Sequence, residues 1–556
     1  MGVKGLWTLL SPTCEKKALW ELEGQTVAID LSCWICDSQT ITFAVNRPHL
    51  RNLFFRTSCL LLAGIRPVFV LEGKAPEIKQ NEMRRRIQNV WNGVENNSRV
   101  KDTRPRFNSL IQQCCRLLEA LGVCYIQSPG EGEATCAHLN AAGLADGCIT
   151  QDNDCFLYGA TTVYRNFSSS RSSKGCGFSV DAYDMAVVQK VLGLNREALV
   201  AIALICGCDY EGDECDGRGI LGVGIETAAQ FISGTSTSTQ NIISRLKSWN
   251  RDPYFLELER EAVEIENVSN CLHCGHRGNL GRHDRVGCKS CDCEKGCIAK
   301  CDYSKENSLL NMSLEERRTL MLELGIRKKA LVNPKFPSQA IIDEYLTLCN
   351  IPVPQSSSIC WKRPDLKKFL EFSDKYLGWP EDYSLEKFFP LYTRWKILHE
   401  KSSHNDNHPY EVSPVCIKKQ RASRGTSYYE VEWKMNDAVT QISCFTSLEP
   451  CIQFGNAYPV MAEEFQMRKK KPPKKGQKKE KVTIKVTKGR CNCGKNAGNQ
   501  HHMCFFLREE EKLKADKVEG QMHKTNVEAI TRSLVDLDLQ DADTSSSDMD
   551  NMPEQL

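Results

Sequence analysis

Four apolar runs of strand length, Thr26-Val-Ala-Ile-Asp-Leu-Ser32, Pro67-Val-Phe-Val-Leu71, Val123-Cys-Tyr-Ile126 and Cys148-Ile-Thr150, deliver acidic residues at or just past their ends. Helix-patterned stretches lie between them, such as the Leu- and Phe-rich segment from His49 to Gly64. That alternation predicts an α/β fold: a mostly parallel central sheet flanked by helices. Ligands of such sheets bind outside the carboxyl ends of the strands. Asp30 closes the first run and Glu72 follows the second; Glu131 and Glu133 follow the third, Asp152 and Asp154 the fourth. The last four fall within 24 residues, each pair separated by one residue. Crowded carboxylates repel one another, so a hard cation, Mg²⁺ or Mn²⁺, is the expected neutraliser. Acidic loops facing water would explain either pair alone. They explain four acid-bearing strand ends poorly.

Further along, the buried-helix pattern Ala198 to Cys208 ends at Gly207-Cys-Asp-Tyr210 and adds Asp209 as a seventh carboxylate. The basic stretch Lys79 to Arg86, with Lys79, Arg84, Arg85 and Arg86, reads either as a solvated helix face or as cations that hold and polarise a phosphate. Gly219-Ile-Leu-Gly-Val-Gly-Ile-Glu-Thr-Ala-Ala229 reads as a glycine turn opening a helix, which leaves backbone N–H groups free for a phosphate. The acidic loop before it, Glu211, Asp213, Glu214 and Asp216, reads as solvated.

At 556 residues the chain has room for two to four domains, and 41% hydrophobic content supports a real core. No apolar run approaches bilayer length, and Lys4, Glu15, Lys16 and Lys17 interrupt any secretory segment, so a soluble intracellular protein is expected. Leu6 stands where an N-myristoylation motif needs Ser or Thr. The 29 cysteines fit reduced thiols with a subset on zinc better than a disulfide framework. The net charge of +3 hides an uneven distribution, since Arg468 to Lys481 holds nine basic residues and one acid, while everything after Arg532 is acidic or neutral. A basic segment attracts phosphate backbones or acts as a nuclear-import signal.

Over roughly residues 1 to 235 the chain resembles the XPG/flap-endonuclease family of structure-specific nucleases. The residues that carry the resemblance are Met1-Gly-Val-Lys-Gly-Leu-Trp7, Ala28-Ile-Asp30, Phe69-Val-Leu-Glu-Gly73, Gly130-Glu-Gly-Glu-Ala134, Asp152-Asn-Asp154, Gly207-Cys-Asp-Tyr210 and Gly222-Val-Gly224. The resemblance implies a PIN-like nuclease core and a helix–two-turn–helix element that grips duplex DNA. It implies N-terminal and internal nuclease regions at 1–95 and 96–206, then the DNA-binding and helical region at 207–400. On it, Asp30, Glu72, Glu131, Glu133, Asp152, Asp154 and Asp209 match the metal-binding carboxylates. Lys79 and Arg86 match the basic pair on the scissile phosphate; with Asp30 and Glu131 they form the expected catalytic set. Two Mg²⁺ ions about 4 Å apart would hydrolyse the phosphodiester, Glu131, Glu133 and Asp152 centring on the first, Asp154 and Asp209 nearer the second. Gly2, Arg84, Arg85, Gly222 and Gly224 join Lys79 and Arg86 as expected DNA contacts, the glycine turn with a K⁺ ion and the Gly2–Trp7 end at the branch point. Glu72 stands where many members have Asp, as in the GEN-type Holliday-junction resolvases, and Gly132 replaces their usual Ala. Gly132→Ala is therefore expected to be tolerated or mildly helpful, provided a helix starts there.

The insert at 271–301 holds Cys271, Cys274, Cys288, Cys291, Cys293, Cys297 and Cys301 with His276 and His283 between them. Cys271-x₂-Cys274-x₁₃-Cys288-x₂-Cys291 is close to zinc-ribbon spacing, which predicts those four thiolates on one Zn²⁺; a reduced cysteine-rich insertion is the alternative. Comparable inserts mark the GEN branch. From 405 to 467 three short strands and a helix, with Glu430-Val-Glu-Trp-Lys434 on the second strand, resemble a chromodomain. Tyr429 and Trp433 read as core more than as a methyl-lysine cage. The tail, 468–556, reads as disordered, basic then acidic; Cys491, Cys493, His501, His502 and Cys504 form a weaker zinc candidate.

The expectation is thus a Mg²⁺-dependent, nuclear (and part of the time cytoplasmic) endonuclease of four-way junctions, 5′ flaps and replication forks, acting on junctions as a homodimer. A plain 5′-flap endonuclease or 5′ exonuclease, and a junction-binding chromatin adaptor with a dead core, are the competing readings.

Overall fold

The structure is a computed structural model that describes residues 2–39, 47–79, 103–168, 171–172, 175–176, 179–210, 219–235, 241–299, 309–347, 357, 359–399, 411–423, 426–436 and 444–470. Its centre is a seven-stranded sheet. The strands are β1 (Glu15–Ala18), β2 (Thr26–Asp30), β3 (Arg66–Leu71), β4 (Cys124–Gln127), β5 (Gly147–Ile149), β6 (Thr162–Ser168) and, after the two-residue strands β7 (Arg171–Ser172) and β8 (Gly175–Cys176), β9 (Ser179–Asp184). Their order is β1-β9-β6-β5-β2-β3-β4. The pairs β2/β3, β2/β5, β3/β4 and β5/β6 are parallel, whereas β9 runs antiparallel to β6 and β1. The chain builds outward from β2 through β3 to β4, then returns to lay β5 on the other side of β2. Ligand sites belong at such a reversal of strand order.

Side-chain alternation explains why both faces carry helices. Every residue of β2 is buried. Val27 and Ile29 point into one core with the helices Leu31–Gln39, Pro48–Leu62 and Thr103–Leu121, while Ala28 points into the other with Gly132–Ala141 and Arg196–Cys206. A strand sandwiched this way reads as a continuous apolar run, as the sequence does here. β1 has no counterpart among the apolar runs of the sequence. Glu15-Lys-Lys-Ala18 lacks an apolar pattern because it is an edge strand with exposed or half-buried side chains, held by its backbone pairing to β9.

The 405–467 region gives an antiparallel sheet of β10 (Glu411–Ser423), β11 (Thr426–Asn436) and β12 (Cys444–Pro450), closed by the helices Cys451–Ala457 and Pro459–Lys470. Tyr429 and Trp433 are buried, their rings against Phe454, with Phe465 on Tyr429 and Tyr458 on Trp433, so both are core. This small sheet is fused to the rest through the helix Glu381–His399. Phe389 stacks on Phe445 at 3.9 Å between centroids. Arg394 Nε donates to Glu449 Oε2 at 2.9 Å and Arg394 Nη1 to the Leu62 carbonyl at 2.6 Å. A buried ion pair is tolerable only when its remaining polar atoms are satisfied, and Glu449 also accepts from Thr393 and Ser447.

Among the described residues no helix is long and apolar enough to cross a membrane. Arg84, Arg85, Arg86, the acidic loop at 211–216, Cys301 and the tail beyond residue 470 lie outside the described residues.

Candidate active site

Six of the seven expected carboxylates arrive at or just past strand ends, and the seventh, Asp209, past a helix end. Asp30 is the last residue of β2, and Ser32 N–H donates to its Oδ1 at 2.9 Å, so it caps the helix that follows. Glu72 follows β3 and accepts from the backbone N–H of Gly132, the first residue of the helix Gly132–Ala141. Glu131 and Glu133 flank that glycine, the former as N-cap. Asp152 and Asp154 follow β5, and Asp209 follows the helix Arg196–Cys206.

The electrostatics tie these groups into one cluster. Burial, with the nearby charges of Asp152 and Glu131, pushes Asp30 up to about 7. Burial with Glu131 and Asp30 pushes Glu72 up to about 8. Burial and the charges of Asp152, Asp30 and Asp154 hold Glu133 well above the carboxylate range. Asp152 and Asp154 are raised by burial first, then by Asp209 for Asp152 and by Asp152 and Asp209 for Asp154. Burial alone would disfavour the Lys79 ammonium, but Glu131, Glu133 and Glu72 hold it protonated, and its Nζ reaches Glu131 Oε2 at 2.6 Å. Lys79 alone cannot balance seven carboxylates.

Two buried oxygens test whether the set fits divalent ions. Among the described residues, Glu131 Oε1 and Asp154 Oδ1 have no hydrogen-bond partner. A buried, unsatisfied carboxylate oxygen is costly unless something else coordinates it. An all-oxygen donor set of this charge suits Mg²⁺ or Mn²⁺.

Several residues around the cluster escaped the sequence reading. Tyr345 donates from its hydroxyl to Asp154 Oδ2 at 2.9 Å, from a helix (Gln339–Leu346) nearly two hundred positions away. Thr150 Oγ1 donates to Glu133 Oε1 at 3.3 Å, and Cys33 Sγ lies within 4.8 Å of ligand oxygens of Asp30 and Glu133. Asn153, passed over as a spacer between two acids, exchanges hydrogen bonds with the Val3 backbone at 2.8 and 3.1 Å. Asparagine between two candidate ligands was the available signal. Gly2 N–H donates to Asp209 Oδ2 at 3.1 Å, so the chain's N-terminal end lies against the carboxylates.

The helix does start at Gly132, but the space there differs from the expectation. A Cβ at Gly132 would lie 3.2 Å from Glu72 Oε2 and 3.4 Å from Asp30 Oδ1. The longer reach of Glu72 fills the room that a methyl group would need, so the two departures from the family pattern compensate. Gly132→Ala should therefore lower cleavage roughly tenfold by pushing the Glu72 carboxylate aside by a few tenths of an ångström, and Glu72→Asp in the same chain should recover part of it. Steady-state cleavage rates of the two single variants and the double variant check this; equal rates for wild type and Gly132→Ala would refute it.

The expected glycine turn lies between the helices Arg196–Cys206 and Ile225–Thr235. Gly222 and Gly224 are exposed there, Gly222 has a φ of +75°, and Lys329 Nζ donates to its carbonyl at 2.9 Å. Leu221 at the tip is 94% exposed. In the insert, the four predicted cysteines do not share one centre. Ligand atoms within 4.8 Å of one another form two groups, Cys271, Cys274, His283 and Cys297, and Cys274, His276, Cys288 and Cys291. Spacing alone favoured the two CxxC pairs and gave no way to choose between the histidines.

A buried carboxylate cluster at the carboxyl ends of a parallel sheet, beside an exposed glycine turn, defines a nuclease-type α/β core. Residues 1–90 match the XPG N-terminal domain and residues 122–209 the XPG I-region. Flap endonuclease GEN of Drosophila pseudoobscura pseudoobscura is 36% identical over 515 residues, covering 87% of this chain and 65% of its own length. Flap endonuclease GEN-like 1 of Arabidopsis thaliana is 30% identical over 467 residues, covering 78% of this chain and 74% of its own. Human GEN1, solved in complex with Holliday junction DNA, is similar with a TM-score of 0.61 and 28% identity over 84% of this chain and 98% of that one. The chain belongs to the XPG nuclease family, in its GEN flap-endonuclease branch. It spans 65%, 66%, 52% and 50% of the length of the first four curated relatives it matches.

Proposed function

We propose that the protein is a structure-specific endodeoxyribonuclease that hydrolyses phosphodiester bonds at four-way junctions and 5′ flaps, with Mg²⁺ as its cofactor. The observation that carries this reading is the cluster of buried, mutually repelling carboxylates at the reversal of strand order, two of whose oxygens have no hydrogen-bond partner among the described residues. The human GEN1 structure with Holliday junction DNA supports the substrate class. Bound divalent ions supply a nucleophilic hydroxide at neutral pH and stabilise the leaving oxygen.

The chain's own residues do the rest. Asp30, Glu72, Glu131, Glu133, Asp152, Asp154 and Asp209 hold the ions. Tyr345, Thr150 and the Ser32 N–H fix the rotamers of Asp154, Glu133 and Asp30. Lys79, paired with Glu131 at 2.6 Å, is positioned at the rim to move onto the scissile phosphate, with Arg86 as its partner there. Gly222 and Gly224 offer backbone N–H groups to one duplex arm, with K⁺ as the shared counter-ion, and the Gly2–Trp7 end abuts the branch. Recognition is of backbone shape, not of base edges. Paired nicks on a four-way junction imply two protomers. We further propose nuclear action, Zn²⁺ in the cysteine-rich insert, and a chromodomain-like accessory role in DNA or protein contact for the 405–467 sheet.

Purified protein incubated in Mg²⁺ with a four-way junction, a 5′ flap and a linear duplex should cut the first two and spare the third, and Asp30→Asn should cut none. Cleavage of the flap alone would leave a plain flap endonuclease. Binding without cleavage by both wild type and variant would leave a junction-binding adaptor.

A further inference from the structure

We propose that the cysteine-rich insert holds two zinc ions that share the thiolate of Cys274, a binuclear centre built from seven ligands. The proposal rests on the reading of the insert as a zinc site and specifies its stoichiometry and ligands. Cys271, Cys274, His283 and Cys297 form the first quartet, and Cys274, His276, Cys288 and Cys291 the second. Cys274 is the one residue in both.

The distances are those of tetrahedral edges. A Zn–S bond of about 2.3 Å and a Zn–N bond of about 2.0–2.1 Å give S···S edges of about 3.8 Å and S···N edges of about 3.6 Å. In the first quartet Cys271 Sγ and Cys297 Sγ are 3.7 Å apart, and Cys274 Sγ lies 3.4 Å from His283 Nδ1. In the second, Cys274 Sγ and Cys288 Sγ are 4.0 Å apart, and His276 Nδ1 lies 3.5 Å from Cys288 Sγ and 3.2 Å from Cys291 Sγ. Disulfides are far shorter, about 2.05 Å between sulfurs.

The surroundings are arranged as metal ligands require. Cys271, Cys274, Cys288 and His283 are buried. His283 Nε2 lies 3.2 Å from the Arg277 carbonyl, an acceptor only, so the proton sits on Nε2 and the Nδ1 lone pair faces Cys274. The next residue, Asp284, is clamped by Arg317 at 2.7 and 2.9 Å, which fixes the ligand-bearing helix Leu280–Val286 against the helix Leu314–Ala330. Five thiolates against two Zn²⁺ leave one net negative charge beside Arg317. His273 Nδ1, 3.3 Å from Cys297 Sγ, stands outside both quartets as a donor to that thiolate. Cys293 is also outside them, its Sγ directed at the Cys291 carbonyl at 3.4 Å.

Zinc content of the full chain, measured by elemental analysis and native mass spectrometry, should be two ions per chain. His283→Ala and Cys291→Ser should each leave one, and His273→Ala should keep two. With ¹¹³Cd in place of zinc, wild type should give two resonances split by mutual coupling through the Cys274 sulfur, a readout that needs no variant to fold. One ion per chain, or two resonances without coupling, overturns the shared centre while leaving a zinc site. No metal at all overturns the zinc reading with it.

Discussion

Asp152→Asn should lower cleavage of branched DNA by about 10²–10³-fold or more while making the metal-free protein more stable. Both effects come from one geometry. Asp152 is buried, and its charge raises the pKa of Asp30, Glu133 and Asp154. Without ions the cluster is a site of stored repulsion, so a neutral amide of the same shape relieves it; an amide also keeps an oxygen for the Asp154 N–H now 3.3 Å from Asp152 Oδ1. The sign with pH follows from the raised values. A carboxylate at about 4 in the unfolded chain and at about 7 or about 8 in the fold, as for Asp30 and Glu72, binds more protons when folded. The stability it contributes is present below the unfolded value and is lost as pH rises towards 8. In EDTA the Tm advantage of Asp152→Asn should therefore be small at pH 5 and grow towards pH 8, reaching about 1 °C for each 1 kcal/mol of relief in a chain of this size. Mg²⁺ should raise the wild-type Tm most at pH 8 and that of the variant little. Thermal unfolding of both proteins across that range is the check, and a variant less stable than wild type at pH 8 in EDTA would refute the account of the cluster.

Gly2→Ala should cost about 10²-fold or more in cleavage, the scale of a small misplacement at a reacting centre. Gly2 has a φ of +74°, a backbone conformation that L side chains rarely adopt. A Cβ there would collide with Asp152 Oδ1, Asn153 Oδ1 and Asp154 Oδ1. The same short segment joins the centre to the glycine turn. Gly2 N–H bonds Asp209, Val3 pairs with Asn153, Trp7 Nε1 donates to the Gln151 carbonyl at 2.9 Å, and a Cβ at Gly5 would press on Ile225, the first residue of the helix after the turn. Displacing Gly2 therefore shifts three carboxylates together and disturbs the contact to Ile225. Cleavage rates measured beside junction affinity should show the rate falling far more than binding. Near-wild-type rates would mean that the N-terminal segment is not part of the centre.

The carboxylate centre was legible because it follows from strand ends. Asp30, Glu72, Glu131, Glu133, Asp152 and Asp154 sit where apolar runs stop, and parallel pairing brings those ends to one edge of the sheet. Asp209 came from the end of a buried-helix pattern, and the family motif matched it afterwards. Tyr345 was not legible, because its bond to Asp154 depends on how a distant helix packs. β1 was missed for the opposite reason, since a polar edge strand has no side-chain period to detect. In the insert the cysteine spacing pointed to one four-cysteine group, whereas the structure places these cysteines in two groups with histidines. Cys297 approaches Cys271 and His283 approaches Cys274 only after the chain folds back on itself.

The most direct test is a single-turnover experiment in which Mg²⁺ is added to the full chain already bound to a four-way junction in EDTA. The account predicts a burst of opposing nicks on two strands, dependent on Mg²⁺ and abolished by Asp152→Asn with junction binding retained. A stable wild-type complex that leaves every strand intact in Mg²⁺ would contradict it.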